Sequence, residues 1–212
     1  MKLDLASLKA AVASISIVIT ENRDYLIKLD QQNGDGDLGI SMNDGFKAIS
    51  DYLRTTEETD LGKLFFQMSK IFNDKAPSSL GTILSFSLMG MARALKGKET
   101  ADLTETTDAF QQGVNLIMEK AGSKPGEKTI LDSLCPALEV LQMHCAGRDK
   151  KKAFAEAAVA AAKGSEDTRQ MLPKHGRAAY YGDKNLGFLD GGSVVGKLIF
   201  EAISDYCNTQ NI

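Results

Sequence analysis

The sequence predicts an all-α fold of about eight helices with antiparallel neighbours. Three observations predict it. Between a few glycine-rich patches, apolar residues recur at helical steps of three, four or seven. No run alternates convincingly with period two, and no hairpin dipeptide separates two such runs. Only four prolines interrupt 212 residues, and the connections are mostly short, which favours antiparallel neighbours.

Each element follows from its pattern. Leu5, Leu8, Val12, Ile15, Ile19, Leu26 and Leu29 share one face and predict a first helix of roughly 25 residues. A second turns Phe46, Ile49 and Leu53 inward. A third carries Leu61, Leu64, Phe65, Met68 and Phe72. A fourth carries Ile83, Leu84, Leu88, Met91 and Leu95, with Gly97 as its C′ residue. A fifth spans 108–120 and stops before Gly122; a sixth spans 129–145 and stops before Gly147. Asp149 caps an alanine-rich seventh (153–162) that stops at Gly164. The last begins near Gly192 and Ser193 and runs through Val195, Leu198, Ile199 and Ala202. No repeat, low-complexity segment or linker divides the chain, so residues 1–212 are expected to form one domain.

Composition narrows the function. Lys and Arg number 25 against 28 Asp and Glu, a net charge of −3. The absence of a basic surplus to neutralise phosphates argues against a dedicated nucleic-acid binder. The three cysteines, Cys135, Cys145 and Cys207, are too few and scattered for a disulfide framework or a zinc site. With no signal peptide they suit a reducing, cytoplasmic setting. Apolar stretches near 10–20 and 80–95 are broken by Ser, Thr and Gly and fall short of the ~20 residues of a membrane span.

The informative patch is Asp30-Gln-Gln-Asn-Gly-Asp35-Gly-Asp37-Leu38-Gly39. Three carboxylates sit at the junction of two helices, spaced five and then two. Alternation at 35 and 37 aims both side chains the same way in an extended loop, and Asp30, on the last helical turn, can converge on them. Clustered carboxylates repel, and a cation relieves that. The donors are hard oxygens, which points to Mg²⁺, Mn²⁺ or Ca²⁺ rather than zinc. An Asp/Gly-rich turn that merely caps a helix is the commoner meaning of such a stretch. An EF-hand starting at Asn33 fits at positions one, three and five but has Leu38 where Gly belongs and Asp44 where Glu belongs.

Four further patches recur near helix starts. Ala76-Pro77-Ser78-Ser79-Leu80-Gly81-Thr82 offers hydroxyls where free N–H groups and the helix dipole can hold a phosphate, or an ordinary Ser cap. Gly122-Ser-Lys124-Pro-Gly126-Glu-Lys128-Thr129 is either a ligand-covering loop or a solvated turn. Gly176-Arg177-Ala-Ala-Tyr180 sets one Arg among small residues, and Leu189-Asp190-Gly191-Gly192-Ser193 feeds the last helix. There is no Walker A sequence and no GxGxxG after a strand. His144, within a helix, reads as structural; His175 lies close to Arg177. No Ser/His/Asp or Cys/His set supports nucleophilic catalysis.

Taken together and in order, these patches resemble the nucleotide-binding L subunit (DhaL) of dihydroxyacetone kinases over nearly the whole chain. The family's Asp followed by Gly-Asp-Gly-Asp-His-Gly is similar to Asp30 and Gly34-Asp35-Gly36-Asp37-Leu38-Gly39. Its Gly-x-Lys-x-Gly-Asp-Lys-Thr-Met-x-Asp resembles the run from Gly122 through Lys128, Thr129 and Ile130 to Asp132, followed by Pro136 and Ala137. Its Gly-Arg-Ala-x-Tyr and Asp-Pro-Gly-Ala resemble the patches at Gly176 and Asp190.

The resemblance implies an eight-helix barrel with ADP or ATP at one end. It implies that Asp30, Asp35 and Asp37 bind two Mg²⁺ ions, and that Leu38, Ser41, Met42, Ser78, Ser79, Thr82, Gly122, Lys128, Thr129, Ile130, Arg177, Asp190 and Gly191 line the nucleotide. It also implies partners: a K subunit holding the sugar with its base, a phosphohistidine donor subunit in the phosphotransferase-linked branch, and a transcription regulator for some L subunits. No general base for the sugar hydroxyl is evident in this chain, and at 212 residues the chain has no room for the K part. A subunit, not a self-sufficient kinase, is therefore expected. The alternatives are a nucleotide-loaded regulatory binding partner of a transcription factor, or an ATP-dependent paralogue acting on another small ketose or polyol, because the chain departs from the pattern at three places. Leu38 stands for the usual His, Ser41 for Asn, and 76–81 for Gly-Gly-x-Ser-Gly.

Overall fold

The computed structural model describes residues 2–145 and 149–209. Among them are nine α-helices: α1 (Leu5–Glu21), α2 (Arg23–Asp30), α3 (Leu38–Thr55), α4 (Leu61–Lys75), α5 (Ser79–Ala94), α6 (Leu103–Ala121), α7 (Leu131–His144), α8 (Lys150–Asp167) and α9 (Gly191–Thr209). Two 3₁₀ segments, Thr168–Gln170 and Arg177–Asn185, lie between α8 and α9. The described residues form no strand, only one isolated bridge between Leu3 and Ala101.

Helix starts are fixed by side chains. Asp4, Asp60, Ser78, Asp102 and Asp149 each accept a hydrogen bond from the backbone N–H three residues on, satisfying donors that a helix N-terminus leaves open. From α3 onward each long helix packs on the next in the chain, α1 packs on α3, and α9 returns to α1, so eight long helices close a ring with α2 as a short extra piece. Phe72, Phe200, Ile19, Met42 and Leu53 are fully buried inside it. Phe46 meets Phe72 edge-on at 4.9 Å between centroids. The ring encloses an apolar cavity of about 170 Å³, lined in part by Phe46, Phe65, Phe110, Phe154 and Phe200.

Four sequence expectations change. The long first helix is two helices bent by 59° at Asn22. The Asn22 side chain donates to the Val18 carbonyl at 2.8 Å, competing with the helical ladder; Leu26 and Leu29 keep the apolar period across the break, which hid it. The fifth helix starts at Leu103, not at 108, behind a reciprocal cap between Asp102 and Glu105. Gly164 does not stop the alanine-rich helix, which continues to Asp167. A Cβ there would strike the Asp132 carbonyl oxygen, so the glycine is a close approach of α8 to α7. Gly97, at φ +78°, lies one position beyond the C′ site, since Leu95 is the cap. The stop expected before Gly147 lies outside the described residues.

No single helix among the described residues is long and apolar enough to cross a membrane.

Candidate nucleotide and metal site

Asp30 is the last residue of α2 and Asp37 the residue before α3, so the carboxylate loop is the hinge between two helices. Its shape comes from its own atoms. The Asp30 carbonyl accepts from Asn33 N at 3.0 Å and Gly34 N at 2.6 Å. The Asp30 carboxylate accepts from Gly36 N at 2.7 Å. Gly36 sits at φ +81°, which its lack of a Cβ permits. At Gly39 a Cβ would strike the Arg23 carbonyl, so glycine there lets α3 fold back tightly on α2. One carboxylate oxygen from each of Asp30, Asp35 and Asp37 lies within 4.8 Å of the others.

The charge is only partly balanced. Burial, with Asp35 and Asp30 alongside, pushes the Asp37 carboxyl above its ordinary range. Asp37 makes no side-chain cap to α3, so its carboxylate is not committed to the helix end. Among the described residues one cation pairs with the cluster: Arg177 Nη2 lies 2.6 Å from Asp35 Oδ2. Three hard, close oxygens with a surplus of negative charge suit a divalent cation such as Mg²⁺.

Arg177 opens the 3₁₀ segment within the strap of residues 171–190, which runs between α8 and α9. Its far end is built into the helix ends. Asp190 N donates to Thr168 Oγ1 at 3.1 Å, and Asp190 Oδ2 accepts from Ser193 N at 2.6 Å, capping α9. The Asp190 carboxyl is pushed up to about 7, first by burial and further by Asp132, against the pull of its backbone hydrogen bonds and Lys128. A Cβ on Gly191 would press on Leu38, and one on Gly192 would approach Ile130 N. The strap's end therefore touches both the carboxylate loop and the start of α7.

The 122–129 loop forms the third side of this rim. Gly122, at φ +64°, caps α6. The buried Asp132 accepts from Gly126 N at 2.5 Å and Thr129 N at 2.7 Å. Lys128 points inward, 4% exposed, and donates to the Asn185 carbonyl at 2.8 Å. Glu127 pairs with His175 at 2.7 Å and with Lys174 at 3.3 Å. His175 foremost, then the Lys124 N–H and Lys174, hold the Glu127 carboxyl down at about 2.

The other residues singled out in the sequence sit as follows. Ser78 caps α5, its Oγ accepting from Gly81 N at 3.1 Å, while Ser79 and Thr82 are exposed on the first turn. Gly45 of α3 faces Ala76, but no contact joins these hydroxyls to the carboxylates. Met42 is a core residue with no exposure, and Ser41 bonds the Leu38 carbonyl at 3.2 Å. Sequence reasoning missed Asp132, Glu127 and Asn185 as rim residues. The run Thr129-x-x-Asp132 carries a capping signal; Asn185 carries none.

A family model described as the DAK2 domain matches residues 32–205. The L-erythrulose kinase of Pectobacterium atrosepticum is 30% identical over 96% of this chain and 36% of its own length. The DhaL ADP-binding subunit of the PEP-dependent dihydroxyacetone kinase 2 of Listeria innocua is 28% identical, with 90% of this chain and 89% of that subunit covered. The Escherichia coli DhaL subunit is 25% identical, with 83% and 84% covered. Among solved structures, the dihydroxyacetone kinase of C. freundii superposes with a TM-score of 0.75 at 23% identity, over 94% of this chain and 34% of that one. The chain thus spans about a third of those longer kinases and most of the DhaL subunits. It belongs to the DAK2-domain family, as a divergent DhaL-type member.

Proposed function

We propose that this DAK2-family chain is the Mg²⁺- and ADP- or ATP-binding subunit of a small-ketose kinase, working with a separate subunit that holds the ketose. The observation that carries the reading is the convergence of Asp30, Asp35 and Asp37 within 4.8 Å, with Arg177 on Asp35. Support comes from DhaL relatives named as ADP-binding subunits and from the C. freundii kinase solved with AMP-PNP and Mg²⁺, whose fold this chain shares.

Bound Mg²⁺, as one ion or two, would neutralise phosphate oxygens and carboxylates together, which is most of what phosphoryl transfer demands. Asp30, Asp35 and Asp37 hold the metal side of the site. Arg177 turns its guanidinium from Asp35 to the phosphates. The exposed N–H groups at the start of α5, beside Ser79 and Thr82, face the phosphate chain. The 122–129 loop, Ile130 and the Asp190 and Gly191 turn border the nucleoside, with Leu38 and Ser41 beneath it and Met42, fully buried, supporting them from the core. The sugar's base belongs to the K-type partner. The PEP- and PTS-dependent relatives favour a phosphohistidine subunit recharging bound ADP. The L-erythrulose kinase, 30% identical, favours a four-carbon ketose as the alternative acceptor; ATP is the alternative donor.

Thermal unfolding tests the core of this. Ligand at ~100 times its dissociation constant adds ~2.7 kcal/mol, roughly 5–10 °C for a domain of this size. The shift is expected only with ADP and Mg²⁺ together, and not in Asp35→Asn. No shift in the wild type, with no nucleotide released on denaturation, would overturn nucleotide binding. Turnover with a K subunit, comparing dihydroxyacetone with L-erythrulose and phosphohistidine donor with ATP, then identifies acceptor and donor.

A further inference from the structure

Lys128 carries two costs at once. At φ +61° it is the only non-glycine residue with positive φ among the described residues, a strained backbone state that persists where the surroundings over-determine it. Its ammonium is also buried, and burial pulls its pKa down, against the Asp190 carboxylate nearby. The surroundings do over-determine it. Asp132 grips the loop on both sides, through Gly126 N and Thr129 N, and the side chain has one acceptor, the Asn185 carbonyl.

Asn185 is the last residue of the 3₁₀ segment that begins at Arg177. It is 2% exposed, and its Oδ1 has no hydrogen-bond partner. The segment is thus held at its far end by Lys128 and meets the carboxylate loop at its near end through Arg177 and Asp35. Gly182, at φ +51° and ψ −128°, kinks it midway, so without the far anchor it has a ready place to bend. The side chain of Lys128 is occupied inside the protein rather than offered to a ligand.

We propose that Lys128 is a positioning residue, a buried strut that pins the Arg177–Asn185 segment so that Arg177 faces the carboxylate loop, and that it does not itself touch the nucleotide. This rests on the nucleotide-site reading above for its consequence in binding, but not for the strut itself.

The test uses the full chain with Lys128→Met, and with Lys128→Asn, because Asn tolerates positive φ and keeps the loop foldable without the ammonium. Chymotrypsin cleavage at Tyr180 and Tyr181, in metal- and nucleotide-free protein, reads the segment directly. Cleavage is expected to be about tenfold faster in both variants, while Arg177→Gln changes it less. Titration with Mg-ADP then reads the consequence. Each of Lys128→Asn and Arg177→Gln is expected to weaken binding about tenfold, and the double variant no more than Arg177→Gln alone, the non-additivity of residues that act as one. Wild-type cleavage rates in both Lys128 variants would overturn the strut. Losses that multiply to about a hundredfold would overturn the indirect role and put the ammonium on the phosphates. Should the wild type bind no Mg-ADP, the nucleotide reading fails and the cleavage result alone decides the strut.

Discussion

The two sides of the rim are held in opposite ways. The carboxylate loop, residues 30–37, is closed by bonds from Asp30 to amides three, four and six residues on. The strap, residues 171–190, contains only 3₁₀ turns and is held by partners far away in the chain: Glu127 on His175, Lys128 on Asn185, Asp35 on Arg177. The loop's shape is therefore local and its unsolved problem is electrostatic, three carboxylates with a single cation paired to them among the described residues. The strap's cations Lys174, His175 and Arg177 each meet a carboxylate, and its weakness is conformational. A cation from outside answers the first; the packing of α7, α8 and the 122–129 loop answers the second.

The largest expected effect strikes the loop alone. Asp30→Ala removes one oxygen donor and the anchor of Gly36 N. The whole Mg-ADP thermal shift of roughly 5–10 °C should vanish, while chymotrypsin cleavage in the strap stays nearer wild type than in Lys128→Asn. Strap cleavage as fast as in Lys128→Asn would show that the loop is not self-contained and break the comparison.

Gly164→Ala tests the other side. Its added methyl runs into the Asp132 carbonyl, so α8 must move off α7, or Asp132 must shift and loosen its grip on Gly126 and Thr129. Overpacking of this kind costs about 1–3 kcal/mol, a fall in Tm of roughly 3–10 °C. Faster strap cleavage should accompany it. A melting point within a degree of wild type would mean that the helix pair yields freely, and that Asp132 is not positioned by it.

The same distinction decides what was legible in the sequence. Asp30, Asp35 and Asp37 could be read together because the loop that gathers them is contiguous, with glycine where the chain turns. The ring of helices could be read from periodicity, since packing and period share one cause. The bend at Asn22 could not, because Leu26 and Leu29 stay in phase across it. Gly164 was misread for a related reason: a glycine in a helical pattern marks either an end or a close contact, and only the neighbouring helix decides. The strap was least legible. Nothing local announces that Lys128 reaches Asn185 or that His175 meets Glu127, and the 3₁₀ segment between them has no apolar period to betray it.

The smallest effect separates the two regions by pH. Asp37 and Asp190 are both carboxyls pushed upward, but Asp37 has carboxylate neighbours that a cation would relieve, whereas Asp190 is chiefly buried, with Lys128 pulling the other way. With a native pKa of about 7 against 3.8 for the free side chain, the folded chain holds that proton longer than the unfolded one. Its stability should therefore fall as pH rises from about 4 to about 7 and level off above. Asp190→Asn keeps an oxygen for Ser193 N and cannot ionise. Its melting point should match the wild type near pH 4 and exceed it by about 2–5 °C at pH 8, with no change in the Mg²⁺ requirement for ADP. If instead the Asn variant melts lower at pH 8, the Asp190 charge is needed to hold the Lys128 ammonium in place. The strap would then resemble the carboxylate loop more closely than its matched pairs imply, as a site whose buried charge must be met by a partner.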